Sequence, residues 1–266
     1  MAILEEHPAL LDALRGEMTP KFLATRSPDG VPNVVPLISL QPADDAPDTL
    51  FFGNFLLRKS IRNLERDARV GILVITPALE GWMLTGDFVE FQQSGPYVER
   101  QMSGSLLRYN AYTGIRNAGV IHLRSLAGAF RVPKLKVVLD YLLGRLAGLR
   151  AVRPEGEGPA VPLAARREFA RLTAVKVLAW IGGDGYPLVV PCLSLQPAGE
   201  RLLSGWRAPR GLPMPPAGAR AAANLLTLEA VSYQAKGRWS GGRRAGALQV
   251  EELYAGGPPL PGGRIA

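Results

Sequence analysis

The chain has 266 residues, enough for one large domain or two ordinary ones, and its 47% hydrophobic and 20% charged residues are the balance of a packed globular protein. A formal charge of +8 suits an anionic partner such as nucleic acid, acidic lipid or a phosphorylated small molecule, and equally an arginine-heavy composition kept for solubility. A single cysteine (Cys192) and two histidines (His7, His122) exclude an internal disulfide, a cysteine-cluster metal site and a histidine metal centre; no apolar run is long enough to span a bilayer, and a cytoplasmic protein is expected.

In chain order, Phe22 to Thr25 reads as a short apolar strand running into Asp29-Gly30, a hairpin-turn signal. Asn33 to Leu40 reads as the returning strand, ended by Pro42, and Leu50 to Gly53 as a third. Ser60 to Arg66 has helical spacing, with Ile61, Leu64 and Ala68 on one face. Val70 to Ile75 and Met83 to Gln92 read as further strands, Pro96 to Tyr109 as a helix, and Ile121 to Leu126 as the strand that closes a small antiparallel barrel. Lys134 to Arg150 is amphipathic, with Val138, Leu142, Leu146 and Leu149 on one stripe. Packing between or against barrels is the favoured reading, and a membrane-surface helix flanked by basic residues is the other. Pro154 to Pro162 reads as a linker.

The strand text then recurs. Asp184-Gly185, Val189-Val190-Pro191 and Ser194-Leu195-Gln196-Pro197-Ala198 repeat Asp29-Gly30, Val34-Val35-Pro36 and Ser39-Leu40-Gln41-Pro42-Ala43, all 155 positions later, and Lys176 repeats Lys21. With a deletion and an insertion, Leu202 to Gly205 faces Leu50 to Gly53, Asn224-Leu225 faces Asn63-Leu64, and Val231 faces Val70. The chain is thus read as mainly β: two tandem small antiparallel β-barrel modules with peripheral helices. The first module spans 1–130, a helical linker 131–163, and a degenerate second module 164–266.

The usual nucleophile elbow, P-loop and dinucleotide-binding glycine motifs are absent. Cys192 reads as an inert buried thiol and His122 as a hydrogen-bonded strand residue. One constellation stands apart: Arg58-Lys59-Ser60 at a helix start, where two cations and a hydroxyl suit a phosphate. The same spacing also describes a plain Ser60 N-cap with surface cations beside it, and spacing alone does not choose between the two.

The ordered set of Asp-Gly, Val-Val-Pro-x-x-Ser, Phe-Phe-Gly-Asn and Arg-Lys-Ser-x-x-Asn-Leu-x-x-Asp-x-Arg-Val resembles the flavin-mononucleotide (FMN)-binding split-barrel proteins, the superfamily of pyridoxamine-phosphate oxidase. The resemblance runs from Lys21 to Gly95 and, more weakly, from Lys176 to Val250. It implies a flavin phosphate on Arg58, Lys59 and Ser60 with Asn63 nearby, a ring along Val35, Pro36, Leu37 and Ser39, and flanking contacts from Asn54, Phe55 and Leu57. It also implies that the two modules are split β-barrels forming a pseudo-dimer with room for further oligomerisation, and that the chain is an FMN-dependent oxidoreductase or electron carrier acting on a small-molecule redox substrate or electron donor. In the second copy Ala219-Arg220-Ala221 stands where Arg58-Lys59-Ser60 is, so one flavin per chain is expected. The alternative is a non-catalytic barrel holding haem (through His7 or His122), deazaflavin or a protein partner. Nucleic acid is not expected, because aromatics do not cluster with the basic residues.

Overall fold

In the computed structural model, which describes residues 2–54, 57–104, 117–150, 158–242, 244–256 and 262–266, helices α1 (Ile3–Glu6) and α2 (Pro8–Arg15) lead into four strands. These are β1 (Lys21–Arg26), β2 (Pro32–Pro36), β3 (Gln41–Pro42) and β4 (Thr49–Gly53). Helix α3 (Arg58–Leu64), β5 (Arg69–Ile75), β6 (Glu80–Gln92), α4 (Pro96–Ser103) and β7 (Ala118–Arg131) complete the first half. After α5 (Lys134–Arg150) and α6 (Leu163–Phe169) come β8 (Val175–Ile181), β9 (Pro187–Pro191), β10 (Gln196–Pro197) and β11 (Leu202–Trp206). The second half closes with β12 (Arg220–Leu226), β13 (Ser232–Gly241), β14 (Ala245–Ala255) and β15 (Gly263–Arg264).

The first sheet runs β2-β1-β5-β6-β7-β4-β3 and the second β9-β8-β12-β13-β14-β11-β10, with β15 added to β14. Strand for strand the two orders are the same. The chain is two tandem split β-barrel modules paired as a pseudo-dimer. Each module has its own core, around Leu23, Phe52, Ile72 and Leu84 in the first and around Leu178, Trp239, Leu248 and Leu253 in the second. A third apolar cluster lies on the seam, joining Phe22, Val34 and Leu73 to Val177, Val189 and Ala222. Reciprocally, β2 lies on β12 and β13, while β9 lies on β5 and β6. The backbones meet so closely there that a Cβ on Gly71 would stand 2.0 Å from the Pro187 carbonyl oxygen, which leaves glycine as the residue that fits.

Several expectations change in detail. The returning strand is not continuous from Asn33 to Leu40. After Pro36 the chain turns a corner, tied by Leu37 N–H to Lys21 O (2.7 Å) and Leu40 N–H to Leu37 O (3.2 Å), and resumes as β3 on the other edge of the sheet. The second copy does the same between β9 and β10. The corner is what splits the barrel. Lys21 and Lys176 take matching places: Lys21 Nζ donates to Gly16 O (2.9 Å), just past the end of α2, and Lys176 Nζ to Arg171 O (2.9 Å), just past α6. Lys21 Nζ also reaches Ile38 O (3.4 Å) and so braces the corner.

The alignment of Asn63 with Asn224 is overturned. Asn224 lies on β12 opposite Val177, as Leu73 lies on β5 opposite Phe22, so Asn224 matches Leu73, 151 positions earlier. Likewise Leu203 sits opposite Pro197 as Leu50 sits opposite Pro42, one residue off the sequence pairing. The second module has no counterpart of α3, because residues 207–219 carry prolines and positive-φ glycines (Gly211, Gly218) in place of a helical run.

Helix α4 ends at Ser103, and the remainder of the helix expected to reach Tyr109 falls mostly outside the described residues. Helix α5 packs on the second module, but through the face opposite the apolar stripe. Gly144 and Gly148 let it approach β10 and β11 closely, Ser204 Oγ donates to Gly144 O (3.2 Å), and Gln196 Nε2 donates to Tyr141 O (2.7 Å). The stripe residues Val138, Leu142 and Leu146 face outward; the Leu149 side chain lies outside the described residues.

Candidate functional site

Where β2 of the first module crosses β12 and β13 of the second, the seam opens into a cavity of about 310 Å³, at the lower end of small-molecule sites. One wall is the β2 edge and its corner: Asn33, Val35, Pro36, Leu37, Ile38 and Ser39. The corner is held from behind, since Gln101 Nε2 of α4 donates to Ser39 O (2.8 Å) and Ser39 Oγ to Gly53 O (3.4 Å). A second wall is Leu57 with the first turn of α3, Arg58, Lys59 and Ser60.

Of the residues singled out from sequence, Val35, Pro36, Leu37, Ser39, Leu57, Arg58, Lys59 and Ser60 thus come together around one cavity. Asn54 is buried beside it without lining it, its N–H bonded to Asn117 O (3.0 Å). Asn63 turns away and donates from Nδ2 to Thr25 Oγ1 (2.9 Å), pinning α3 to β1. Phe55 lies outside the described residues. Ser60 is not the N-cap. That position is Leu57, without a side-chain cap, while Ser60 is buried and accepts from Asn33 Nδ2 (3.1 Å).

The third wall comes from the second module, and none of its residues was singled out from sequence as a site residue: Asn224, Leu226, Ala230, Ser232, Gln234 and Tyr254. Two of its amides reach across the seam, Asn224 Nδ2 to Val34 O (3.1 Å) and Gln234 Nε2 to the same oxygen. Asn224 inside the otherwise apolar run of β12 was a signal for this wall. Seeing it required the 151-residue match, which sets Asn224, Ser232 and Gln234 against Leu73, Gly81 and Met83, while strand register sets Tyr254 against Gly128.

Charge gathers at one end. Lys59 Nζ stands 3.0 Å over the centre of the Tyr254 ring, and Lys236 Nζ from β13 lies 5.6 Å from it. Tyr254 donates to Glu252 Oε2 (2.6 Å), and the other oxygen of that carboxylate, Oε1, pairs with Arg264 (3.7 Å). Burial, opposed by Glu252 and reinforced by Arg264 and Arg62, holds the Lys59 ammonium below the usual lysine range. Lys236 is pushed down to about 8 by burial and by the charge of Lys59. The two lysines thus share one carboxylate and repel each other. An anion placed between them would relieve both.

The pseudo-symmetric counterpart of this cavity is filled. A Cβ on Gly81 would meet Phe130 Cζ at 2.4 Å, and one on Gly128 would meet Leu212 Cδ2 at 2.7 Å. What remains near the matching corner is a void of about 20 Å³. Cys192, at the place of Leu37, is fully buried there, and burial raises its thiol to about 11. Neither His7 nor His122 lines the seam cavity. Among the described residues no three His, Cys, Asp or Glu side chains converge as a metal site, and no helix is long and apolar enough to cross a membrane.

No family model matches the chain, and no curated protein matches it. Solved structures do. An FMN-binding protein from Syntrophomonas wolfei is 15% identical with a TM-score of 0.39, covering 49% of this chain and 87% of its own. HupZ from Group A Streptococcus is 21% identical with a TM-score of 0.37, covering 47% and 92%. HutZ, described as a heme storage protein from Vibrio cholerae, is 15% identical with a TM-score of 0.36, covering 47% and 93%. Each likeness spans about half of this chain.

Proposed function

We propose that the chain is a flavoprotein that binds one FMN in the seam cavity and serves as an FMN-dependent oxidoreductase or electron carrier. The observation that carries this reading is the cavity's polarity. An apolar strand edge leads to a charged end where lysines from opposite modules, Lys59 and Lys236, meet over one aromatic ring. The residues fit a flat apolar ring tethered by a phosphate: Val35, Pro36 and Leu37 offer a ring-sized apolar edge, and Lys59 and Ser60 of the lining, with Lys236 beside the Tyr254 ring, offer cations and a hydroxyl for the phosphate. Because α3 is only seven residues long, side-chain charge supplies most of this attraction.

When bound, the flavin would supply hydride or single-electron transfer, while the chain orients the ring and limits water access. Asn224 and Gln234 are already committed to Val34 O, so they brace the strand that carries the ring-facing wall. One site per chain follows from the filled counterpart, where Phe130 and Leu212 occupy the space. The placement of His7 and His122 away from the cavity weighs against haem ligation there.

Reconstitution with FMN, followed by a visible spectrum of the desalted protein, tests the reading. Flavin bands at one equivalent per chain are expected. Deazaflavin or haem spectra from protein purified without added cofactor, with no FMN retained on reconstitution, would overturn it.

A further inference from the structure

Helix α5 carries two faces with different fates. Its inward face closes on the second module through Gly144 and Gly148, and Asp140, the helix's one acidic residue, is buried and paired with Lys136. The outward face carries Leu135, Val138, Leu139, Leu142 and Leu146, each between 43% and 82% exposed. At helical spacing these five form one stripe about three turns long. Lys134 and Arg145 stand exposed along one border of the stripe, and no acid of the helix shares that face.

We propose that α5 lays this stripe on an anionic lipid bilayer and so holds the protein peripherally at a membrane surface. Apolar side chains at the acyl boundary with cations beside them at the headgroups are the arrangement by which an interfacial helix binds. The alternative occupant, a second copy meeting the same face, is disfavoured by charge. An antiparallel two-fold pairing across α5 would bring Lys134 and Arg145 of both copies to one rim, with no helix carboxylate to oppose them. The stripe is not needed for folding, since α5 is already anchored by its glycine face, and the inference is independent of what occupies the seam cavity.

Flotation of the full chain with vesicles of phosphatidylcholine, with and without phosphatidylglycerol, tests the proposal. The chain is expected to float with the anionic vesicles and much less with the neutral ones, and to be released by salt. Leu139→Ser with Leu142→Ser should lower the bound fraction roughly tenfold, and Lys134→Glu with Arg145→Glu should do so by a similar factor. Both pairs are exposed, so unchanged circular dichroism and thermal melting are expected of these variants. A chain that stays with the soluble fraction, or variants that float like the original, would overturn the proposal. So would a dimer in sedimentation velocity that the leucine variant splits without any vesicle binding, which assigns the stripe to a second copy.

Discussion

Lys236→Met is the sharpest test of the anion end, because it separates binding from folding by sign. The side chain lies on β13, in the module that lacks its own phosphate constellation, yet its ammonium lies 5.6 Å from the Tyr254 ring that Lys59 covers. At about 6 Å and an effective dielectric near 20, a unit charge attracts another by roughly 3 kcal/mol. Hydrogen bonds to charged groups contribute about 1.5–3 kcal/mol. Loss of the ammonium should therefore weaken FMN roughly 10- to 100-fold, while riboflavin, which lacks the phosphate, should be nearly unaffected. Stability should move the other way. Burial pulls the Lys236 pKa from 10.5 to about 8, so holding it charged at pH 7 costs on the order of 3 kcal/mol, most of which methionine relieves. Fluorescence titration of FMN and riboflavin, beside urea unfolding, reads both effects. An unchanged FMN-to-riboflavin ratio would refute the anion-site reasoning, and a loss of binding accompanied by a loss of stability would point to a purely structural lysine.

Other outcomes follow from the same geometry. FMN affinity should fall as pH rises above about 8, because Lys236 loses its proton there, and calorimetry in buffers of different ionisation enthalpy should show proton uptake on binding near that pH. Stability should itself rise between pH 8 and 9. Lys21, Lys176 and Lys236, all lowered to about 8 by burial, bind fewer protons folded than unfolded in that window. Each contributes on the order of 1 kcal/mol per pH unit, stability that is lost again as pH falls through 8. Cys192, raised from 9.0 to about 11, acts in the opposite sense only above pH 9. Urea midpoints across pH 7.5 to 9 check this, and Lys21→Met should flatten the slope by about a third. Gly71→Ala, forcing a Cβ toward Pro187 O at the seam, should destabilise the chain by roughly 2–4 kcal/mol, read from the same unfolding midpoint.

Repetition at one offset was enough to establish the duplication, the β-rich class and the location of the β2 edge, because strand text, Asp-Gly turns and prolines act within a few residues of themselves. The Arg58-Lys59-Ser60 cluster was legible for the same reason. It is contiguous. What sequence alignment could not carry was the second half beyond β11. There a missing helix and a proline-rich loop break the offset, and Asn224 was matched to Asn63 when hydrogen-bond register sets it against Leu73. The outward turn of the α5 stripe was hidden as well, since apolar periodicity marks a face without saying which way it points, and two glycines took the packing role.

The sequence by itself determined the two modules and one lysine of the charged end, because both are local. Tertiary structure alone decided that the modules pair across β2 and β9, that Tyr254 comes from the far module to complete the cavity with Lys236 near its ring, and that Phe130 and Leu212 fill the cavity's twin. These are contacts between residues far apart in the chain, set by which strand edges meet at the seam.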